Sequence, residues 1–168
     1  MDSNELLILD TYIKKNKISM EPYVVLHFLK EFDSFNQVCI HWVFYGDSFH
    51  KTKPKGLVIE NFIYRNDVAD KVCKSIIKPH RTLLADIHSS VVVAKSVNEH
   101  KKPYNKKFPS MDIIRVNHYF SKSEAEFLLK KKRNSTFSTI NYSQNDFDMN
   151  NKNIIKDDIM EKYIDKIK

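Results

Sequence analysis

Glycine is nearly absent from this sequence: Gly46 and Gly56 are the two glycines in 168 residues. A Walker phosphate-binding loop and the dinucleotide-binding fingerprint each need several glycines, because the backbone must approach phosphate closely. Neither the serine-hydrolase pattern G-x-S-x-G nor the zinc-protease pattern H-E-x-x-H occurs. The sequence therefore excludes these nucleotide-binding and hydrolytic motifs.

Cysteine is also scarce, and no long apolar run occurs. Cys39 and Cys73 stand alone without C-x-x-C spacing, which favours a reducing compartment and argues against a zinc knuckle. The longest apolar runs are far shorter than the ~20 residues that cross a bilayer. The first residues are acidic and lack the basic region of a signal peptide. We predict a cytoplasmic protein, either free or bound at the inner face of a membrane.

The length and composition predict one domain over residues 1–168. Hydrophobic residues make up 42% of the chain, which is typical of a globular fold rather than a disordered one. The net charge of +7 suits an anionic partner, which could be nucleic acid, a lipid surface or a phosphorylated sugar donor. Lysine runs such as KTKPK and KKKR are also common on solvated surfaces, so charge alone does not choose among these partners.

Hydrophobic periodicity predicts a chain that mixes helices and strands. We expect helices over 1–18, 24–33, 66–77 and 155–167, strands over 37–46, 57–65 and 112–119, two short strands within 78–95, and loops over 96–109 and 134–150. Ser123 and Glu126 have the spacing of a capping box and predict a helix that begins there. This pattern predicts an α/β fold with a small mixed sheet and flanking helices.

Two histidines lie at or near the ends of predicted strands, where α/β folds place their ligands. His118, between Asn117 and Tyr119, could bind a metal or donate to phosphate, or it could simply pack against Tyr119. Asn117 could bind a sugar hydroxyl or cap a turn. His88 holds a similar position near a second strand. The residues alone leave these alternatives open.

A second candidate region follows the strand that contains Trp42. Gly46 would let the backbone turn where a side chain would clash. An aromatic ring beside such a turn suits the apolar face of a sugar. Trp42 could provide that ring, or it could be a core residue of the strand.

Three segments, in order, resemble glycosyltransferases of the family 2-like and family 92-like groups. CIHWVFYGDSFHKTKPKGLVIENFIYR resembles their W-x-x-F-G-x-x-G-H followed by P-x-G-L-V-I-E-R-F. DIIRVNHYFSKSEAEFLLKKKR resembles I-R-I-N-H-Y-x-x-K-S-x-E-E-F-x-x-K, and the terminal NNKNIIKDDIMEKYIDKIK is similar to N-x-V-x-D-x-x-I-x-K-Y. The resemblance covers residues 28–168 and leaves 1–27 as a separate helical segment.

The resemblance implies a GT-A fold, which is a Rossmann-like α/β sheet, and a hexosyltransferase-type activity in glycan biosynthesis. The donor would be a nucleotide-sugar and the acceptor a glycan or a lipid-linked sugar, with Mn²⁺ or Mg²⁺ held by a D-x-D motif. The resemblance makes His118 the candidate metal ligand and places Asn117, Tyr119 and Lys122 in the same pocket. His50 and His88 match family histidines on the acceptor side.

The sequence departs from this pattern in three places. The family's F-G-S-S-G-H reads YGDSFH here, so Phe49 replaces a glycine, and the family's basic-glycine pair reads Arg133-Asn134. No D-x-D precedes the strand at 37–46. We therefore expect the N-terminal nucleotide-binding strands to be missing, the metal site to be incomplete and activity alone to be doubtful, with a partner chain able to supply the other half. The alternative is a small basic module that binds nucleic acid or an anionic membrane.

Overall fold

The computed structural model of the chain describes residues 5–8, 24–133 and 141–167. These residues form two compact units. The sheet unit contains the described residues of Glu5–Val43 and Val68–Asn117, and the turn unit contains those of Phe44–Asp67 and His118–Lys168.

The described elements confirm a mixed α/β fold with small sheets and flanking helices. In chain order they are β1 Glu5–Ile8, α1 Val24–Lys30, β2 Gln37–Phe44, α2 Val58–Asn61, β3 Tyr64–Arg65, β4 Cys73–Ile77, a 3₁₀ turn Pro79–Arg81, β5 Thr82–Leu84, β6 Val91–Val92, β7 Ser96–Val97, β8 Arg115–His118, α3 Glu124–Arg133, α4 Gln144–Asn150, β9 Ile155–Lys156, a 3₁₀ turn Glu161–Tyr163 and α5 Ile164–Ile167. Among the described residues, no helix is both long and apolar enough to cross a membrane.

The main sheet is built around β2. The strands lie in the order β1, β8, β2, β4, and β7 also pairs with β2. β4 is antiparallel to β2 and β7 is parallel to it, so the sheet is mixed. Every residue from Gln37 to Val43 is buried, which explains why this stretch is a continuous apolar and aromatic run rather than an alternating one.

Several elements agree with the sequence-based prediction. The helix at 24–33, the strands at 37–46 and 112–119, and the two short strands within 78–95 are all confirmed, with shorter bounds. The capping box that begins α3 is present, because Ser123 N donates to Glu126 Oε2 and Glu126 N donates to Ser123 Oγ, both at 3.3 Å. Local capping chemistry and a fully buried strand are the features that sequence reports most directly.

The predictions for residues 57–77 were wrong. The expected strand at 57–65 contains α2, because Glu60 accepts from Leu57 N and starts a helical turn, and only β3 is extended. The expected helix at 66–77 contains β4, whose Ile76 and Ile77 pair with β2. Pairing with a buried central strand outweighed the weak helical spacing.

The predictions for the chain's two ends and for the loop at 134–150 also need correction. Within the expected helix at 1–18, residues 5–8 form β1, and the rest lies outside the described residues. α4 lies in the expected loop at 134–150, of which 134–140 are outside the described part, and a second capping box begins that helix. The expected helix at 155–167 is reduced to a 3₁₀ turn and α5, because β9 pairs with β3.

Aromatic side chains fill the interior of the turn unit. Tyr45 and Tyr119 pack with ring centroids 4.7 Å apart, and both are almost completely buried. Phe127 packs against Phe147 of α4 at 5.0 Å and against Phe120 at 5.7 Å. These contacts attach α3 and α4 to the segment that follows β8, and aromatic pairs of this kind favour tilted and edge-on geometry.

Lys130 of α3 lies among these rings. Its Nζ is 3.5 Å from the ring centre of Phe120 and 4.7 Å from that of Tyr142, and it donates to the Phe120 carbonyl at 3.2 Å. The ring faces favour the charged ammonium. Burial, with a smaller contribution from Lys122, acts in the opposite direction and dominates, and the pKa of Lys130 is lowered to about 8.

The lowered pKa of Lys130 predicts a specific pH dependence of stability. The unfolded chain, with an ordinary lysine pKa, holds this proton more tightly than the folded chain between pH ~8 and ~10.5. The penalty of the buried charge is therefore complete below pH ~8 and is progressively lost as the pH rises through that window. The stability difference between Lys130→Met and wild type should shift steadily towards wild type over this range in urea unfolding.

Lys132→Met, which removes an exposed lysine from the same helix, is the matched control for the loss of one positive charge. A difference between Lys130→Met and wild type that stays constant from pH 7.5 to 10 would show that Lys130 is not the buried cation described here.

Candidate functional site

A tight turn follows the last residues of β2 in the turn unit. His50 N donates to the Asp47 carbonyl at 3.0 Å, which closes a four-residue turn. Ser48 and Phe49 at its centre have φ angles of 47° and 65°. Two consecutive positive φ angles are the signature of a type I′ turn, which non-glycine residues adopt at a cost. The backbone is therefore held in a conformation that the sequence Asp-Ser-Phe-His does not prefer.

Two asparagine side chains from the segment after α4 hold this turn. Asn151 Oδ1 accepts from Asp47 N at 2.6 Å, and Asn153 Oδ1 accepts from Ser48 N at 3.0 Å. Asn153 Nδ2 donates to Asp47 Oδ1 at 2.7 Å, and the same carboxylate oxygen accepts from Phe49 N at 2.9 Å. Asp47 is 5% exposed, so its charge is compensated by these donors. Side-chain hydrogen bonds thus offset the strain of the turn.

Gly46 has no space for a side chain. A Cβ built on Gly46 would lie 2.8 Å from Asn151 Oδ1 and closer still to Asn153 Oδ1. The sequence predicted that a side chain here would clash, and the geometry agrees with that. The obstacle is the pair of asparagine side chains, since Gly46 does not have a positive φ.

An aromatic pair lies on the turn, formed by the exposed Phe49 and the half-buried Tyr64. Phe49 is 68% exposed, and its ring meets that of Tyr64 edge to face with centroids 5.3 Å apart. The two backbones are fixed to each other, because Gly46 N donates to the Tyr64 carbonyl and Ser48 Oγ accepts from Tyr64 N. These hydrogen bonds therefore fix the backbones that carry the two rings, and the ring of Phe49 presents an apolar surface to solvent.

The predicted site residues of the turn unit have different environments. His50 follows Phe49, with Nε2 3.2 Å from the Asn61 carbonyl oxygen and its ring against Phe62. His118 is 8% exposed and packs between Phe44 and Phe120, with centroids 5.1 and 5.9 Å away.

Two further predicted residues follow His118. Tyr119 is buried against Tyr45, and Lys122 is half-buried with a φ of 52°. Of the predicted residues in this unit, Gly46 and His50 lie in the turn itself.

The remaining predicted residues belong to the sheet unit. Trp42 is 8% exposed and meets the edge of His88 at 5.2 Å, so it is a core residue rather than an open platform. His88 Nδ1 is 3.3 Å from the Cys73 carbonyl oxygen. Asn117 is fully buried and accepts from Arg115 Nε at 2.9 Å. Phe49, which sequence reasoning recorded only as a departure from a motif, occupies the exposed position expected of Trp42.

The described residues around His118 do not have the ligand composition that Mn²⁺ or Mg²⁺ prefers. Hard cations require several oxygen ligands, whereas His118 lies among aromatic rings and belongs to no described group of three His, Cys, Asp or Glu ligands. Asp146 and Asp148 have D-x-D spacing but lie two residues apart in α4, where their side chains do not face each other. Asp146 also accepts from Ser143 to cap that helix.

A cluster in the sheet unit brings together Glu99, His100 and Asp112. His100 Nε2 is 3.1 Å from Asp112 Oδ2 and 3.5 Å from Glu99 Oε1. The buried Glu99 carboxylate accepts from the backbone N–H groups of Asp112, Ile113 and Ile114. These bonds give the cluster a structural role in fixing the chain just before β8.

The structure brings the two cysteines together, although they are far apart in sequence. Cys39 and Cys73 lie on adjacent strands, both buried, with their thiols in contact. The hydrogen bond with Cys39 lowers the pKa of Cys73 to about 7, with a smaller contribution from the hydrogen bond between Cys73 Sγ and Tyr104 Oη, and the pairing with Cys73 raises the pKa of Cys39. The pairing of β2 with β4 explains why the two cysteines are close, and their spacing in the sequence did not predict it.

Comparison with known proteins gives no match: no protein-family model fits the chain, and none of the curated proteins or solved structures is similar to it.

The contacts around Gly46 predict a coupled effect on stability. Gly46→Ala would drive a methyl group into Asn151 and Asn153, and we expect it to lower the free energy of unfolding by about 1–3 kcal/mol. In an Asn153→Ala background the nearest obstacle is gone, so the same substitution should cost clearly less. Urea unfolding of wild type, both single variants and the double variant measures this coupling. Strictly additive costs would contradict the described contact.

Proposed function

We propose that this chain is the acceptor-side portion of a glycosyltransferase-like protein with a partial GT-A fold. In this proposal the turn Gly46–His50 and its aromatic pair bind a glycan or lipid-linked acceptor, to which a sugar is transferred from a nucleotide-sugar. The proposal rests on the motif resemblance, and the geometry of the turn supports it.

The observation that carries the proposal is the backbone at Phe49. In the resembled motif F-G-S-S-G-H, the residue before the histidine is glycine, and Phe49 stands at that position in YGDSFH. Phe49 has a φ of 65°, in the left-handed region that glycine adopts without penalty. The backbone conformation at Phe49 is therefore one that favours glycine, and the resembled motif has glycine at this position. A chance similarity between two sequences would not require this agreement.

A second observation is that the three resembling segments meet in the turn unit. Tyr45 N donates to the His118 carbonyl, and Glu124 N donates to the His50 carbonyl. Asn153, from the third segment, holds the turn. The three segments that resemble motifs of one family, in the same order along the chain, therefore also contact one another. Parts of a common site would do the same.

The chemistry of the turn suits a sugar. The faces of Phe49 and Tyr64 offer an apolar surface for the C–H groups of a pyranose ring. His50, next in sequence, is half-buried; its Nε2 is 3.2 Å from the Asn61 carbonyl oxygen, and its Nδ1 is the ring nitrogen able to exchange a hydrogen bond with a sugar hydroxyl group. Apolar contact and a few directional polar groups are the usual composition of a small-ligand site.

The donor side of the reaction is not assigned to the described residues. A bound Mn²⁺ or Mg²⁺ would neutralise the diphosphate of a nucleotide-sugar, but these residues do not fit such an ion, so no step is derived through it. A partner chain that supplies the nucleotide-binding half remains part of the proposal. UDP-sugars with Mn²⁺ should accordingly bind the isolated chain with dissociation constants of about 1 mM or weaker in calorimetry. Micromolar affinity would contradict the incomplete donor site.

The aromatic pair is tested by the substitution Phe49→Gly. We expect at least a tenfold loss of binding to the oligosaccharides that wild type selects from an array with hexose, N-acetylhexosamine and uronic acid termini. The melting temperature should stay equal or rise, because glycine relieves about 1 kcal/mol of left-handed strain. Weaker glycan binding together with an unchanged or higher melting temperature would show that the variant has lost a ligand contact and not its fold.

Phe108→Gly is the matched control, since Phe108 is 72% exposed and lies in the sheet unit. It should leave glycan binding unchanged. The acceptor role of the turn is refuted by equal glycan binding in wild type and Phe49→Gly, or by an array on which wild type binds nothing.

A further inference from the structure

A hairpin in the sheet unit carries apolar side chains that face solvent. It consists of β5, β6, the connecting residues 85–90 and the following Val93, and its large apolar residues that are 43–70% accessible are Leu83, Leu84, Ile87, Val91 and Val93. Scattered single apolar residues on a surface are ordinary, but five within eleven consecutive positions make an apolar patch. Such a patch marks a surface that is buried against something else.

The strand pairing of the hairpin is irregular at its exposed leucines. Thr82 pairs with Val92 and Leu84 pairs with Val91, so the register shifts between Thr82 and Leu84, as it does at a β-bulge. Leu83 is 70% exposed and Leu84 is 64% exposed. Both leucines are therefore available for contact with something outside the chain.

The hairpin is firmly attached to the sheet although its apolar side chains are outside. Gln37 Nε2 donates to the Ser90 carbonyl at 3.0 Å, and Ser90 N donates to Gln37 Oε1 at 2.7 Å. Asn36 Nδ2 donates to the Val93 carbonyl, and Lys74 Nζ donates to the Ile87 carbonyl at 3.0 Å. Polar side chains of the sheet thus fix the backbone of the hairpin by hydrogen bonds. The apolar side chains of the hairpin remain exposed to solvent.

Basic residues flank the apolar patch. His80 and Arg81 precede β5 in an exposed 3₁₀ turn, and Lys95 follows Val93 and is also exposed. Asp86 is the acidic residue within the hairpin. An apolar tip between basic flanks has the composition of segments that insert into the headgroup layer of membranes with anionic lipids.

We propose that the β5–β6 hairpin docks this protein on an anionic lipid bilayer, with Leu83, Leu84 and Ile87 inserted at the headgroup boundary and Arg81 and Lys95 against lipid phosphates. The exposed basic residues at both ends of the hairpin complement anionic headgroups, and this charge complementarity selects a lipid surface over a protein partner. The inference is independent of the acceptor role of the turn, because a different unit carries it.

The test is co-sedimentation with vesicles. Vesicles of phosphatidylcholine with about 30% phosphatidylglycerol should bind the chain at least tenfold more strongly than vesicles of phosphatidylcholine alone, and an increase from about 0.1 M to about 0.5 M NaCl should weaken binding severalfold. The double variant Leu84→Ser/Ile87→Ser should lose at least tenfold in partitioning. Arg81→Ser/Lys95→Ser should lose the preference for anionic vesicles.

The matched control is Leu128→Ser/Leu129→Ser, which changes two leucines of comparable exposure on α3 in the turn unit. It should bind vesicles as wild type does. Equal partitioning by the hairpin variant and wild type overturns the proposal. A concentration-dependent dimer in sedimentation velocity that the hairpin variant abolishes, without vesicle binding by wild type, also overturns it and assigns the patch to a second copy of the chain.

Discussion

The side-chain amides of Asn151 and Asn153 are the contacts on which the turn unit depends. They accept from the backbone of Asp47 and Ser48, and their position leaves no room for a side chain at Gly46. Without these bonds, nothing described in the turn would offset the conformational strain of the positive φ angles at Ser48 and Phe49. With them, the exposed ring of Phe49 is held edge to face against the half-buried ring of Tyr64. A structural constraint from the last part of the chain thus shapes the surface to which we assign acceptor binding.

The sequence predicted those parts of the fold that local chemistry decides. β2 was predictable because every residue from Gln37 to Val43 is buried, and the start of α3 was predictable because Ser123 and Glu126 satisfy each other's backbone groups. β4 was missed because its extended form depends on pairing with β2, and the last helix was overestimated because β9 pairs with β3. Partners distant in sequence decide these elements, and periodicity does not report them.

The candidate site was predictable to a similar extent. Gly46 was singled out for the correct steric reason, whereas its obstacle, a pair of asparagines more than a hundred residues later, could not be read from spacing. For Trp42 the sequence left open an exposed sugar-binding ring or a core position, and the structure shows a core residue. Phe49 was visible only as a mismatch to a motif, and its φ angle is what turns that mismatch into support for the resemblance.

The central claim is that the turn from Gly46 to His50 contacts a sugar. Amide and aromatic chemical shifts of the labelled chain, followed by NMR during titration with the oligosaccharide that binds best on the array, test it most directly. We expect the largest changes at the amides of Asp47, Ser48 and Phe49 and at the ring signals of Phe49 and Tyr64. Saturable shifts confined to other residues, with these signals unmoved, would contradict the account.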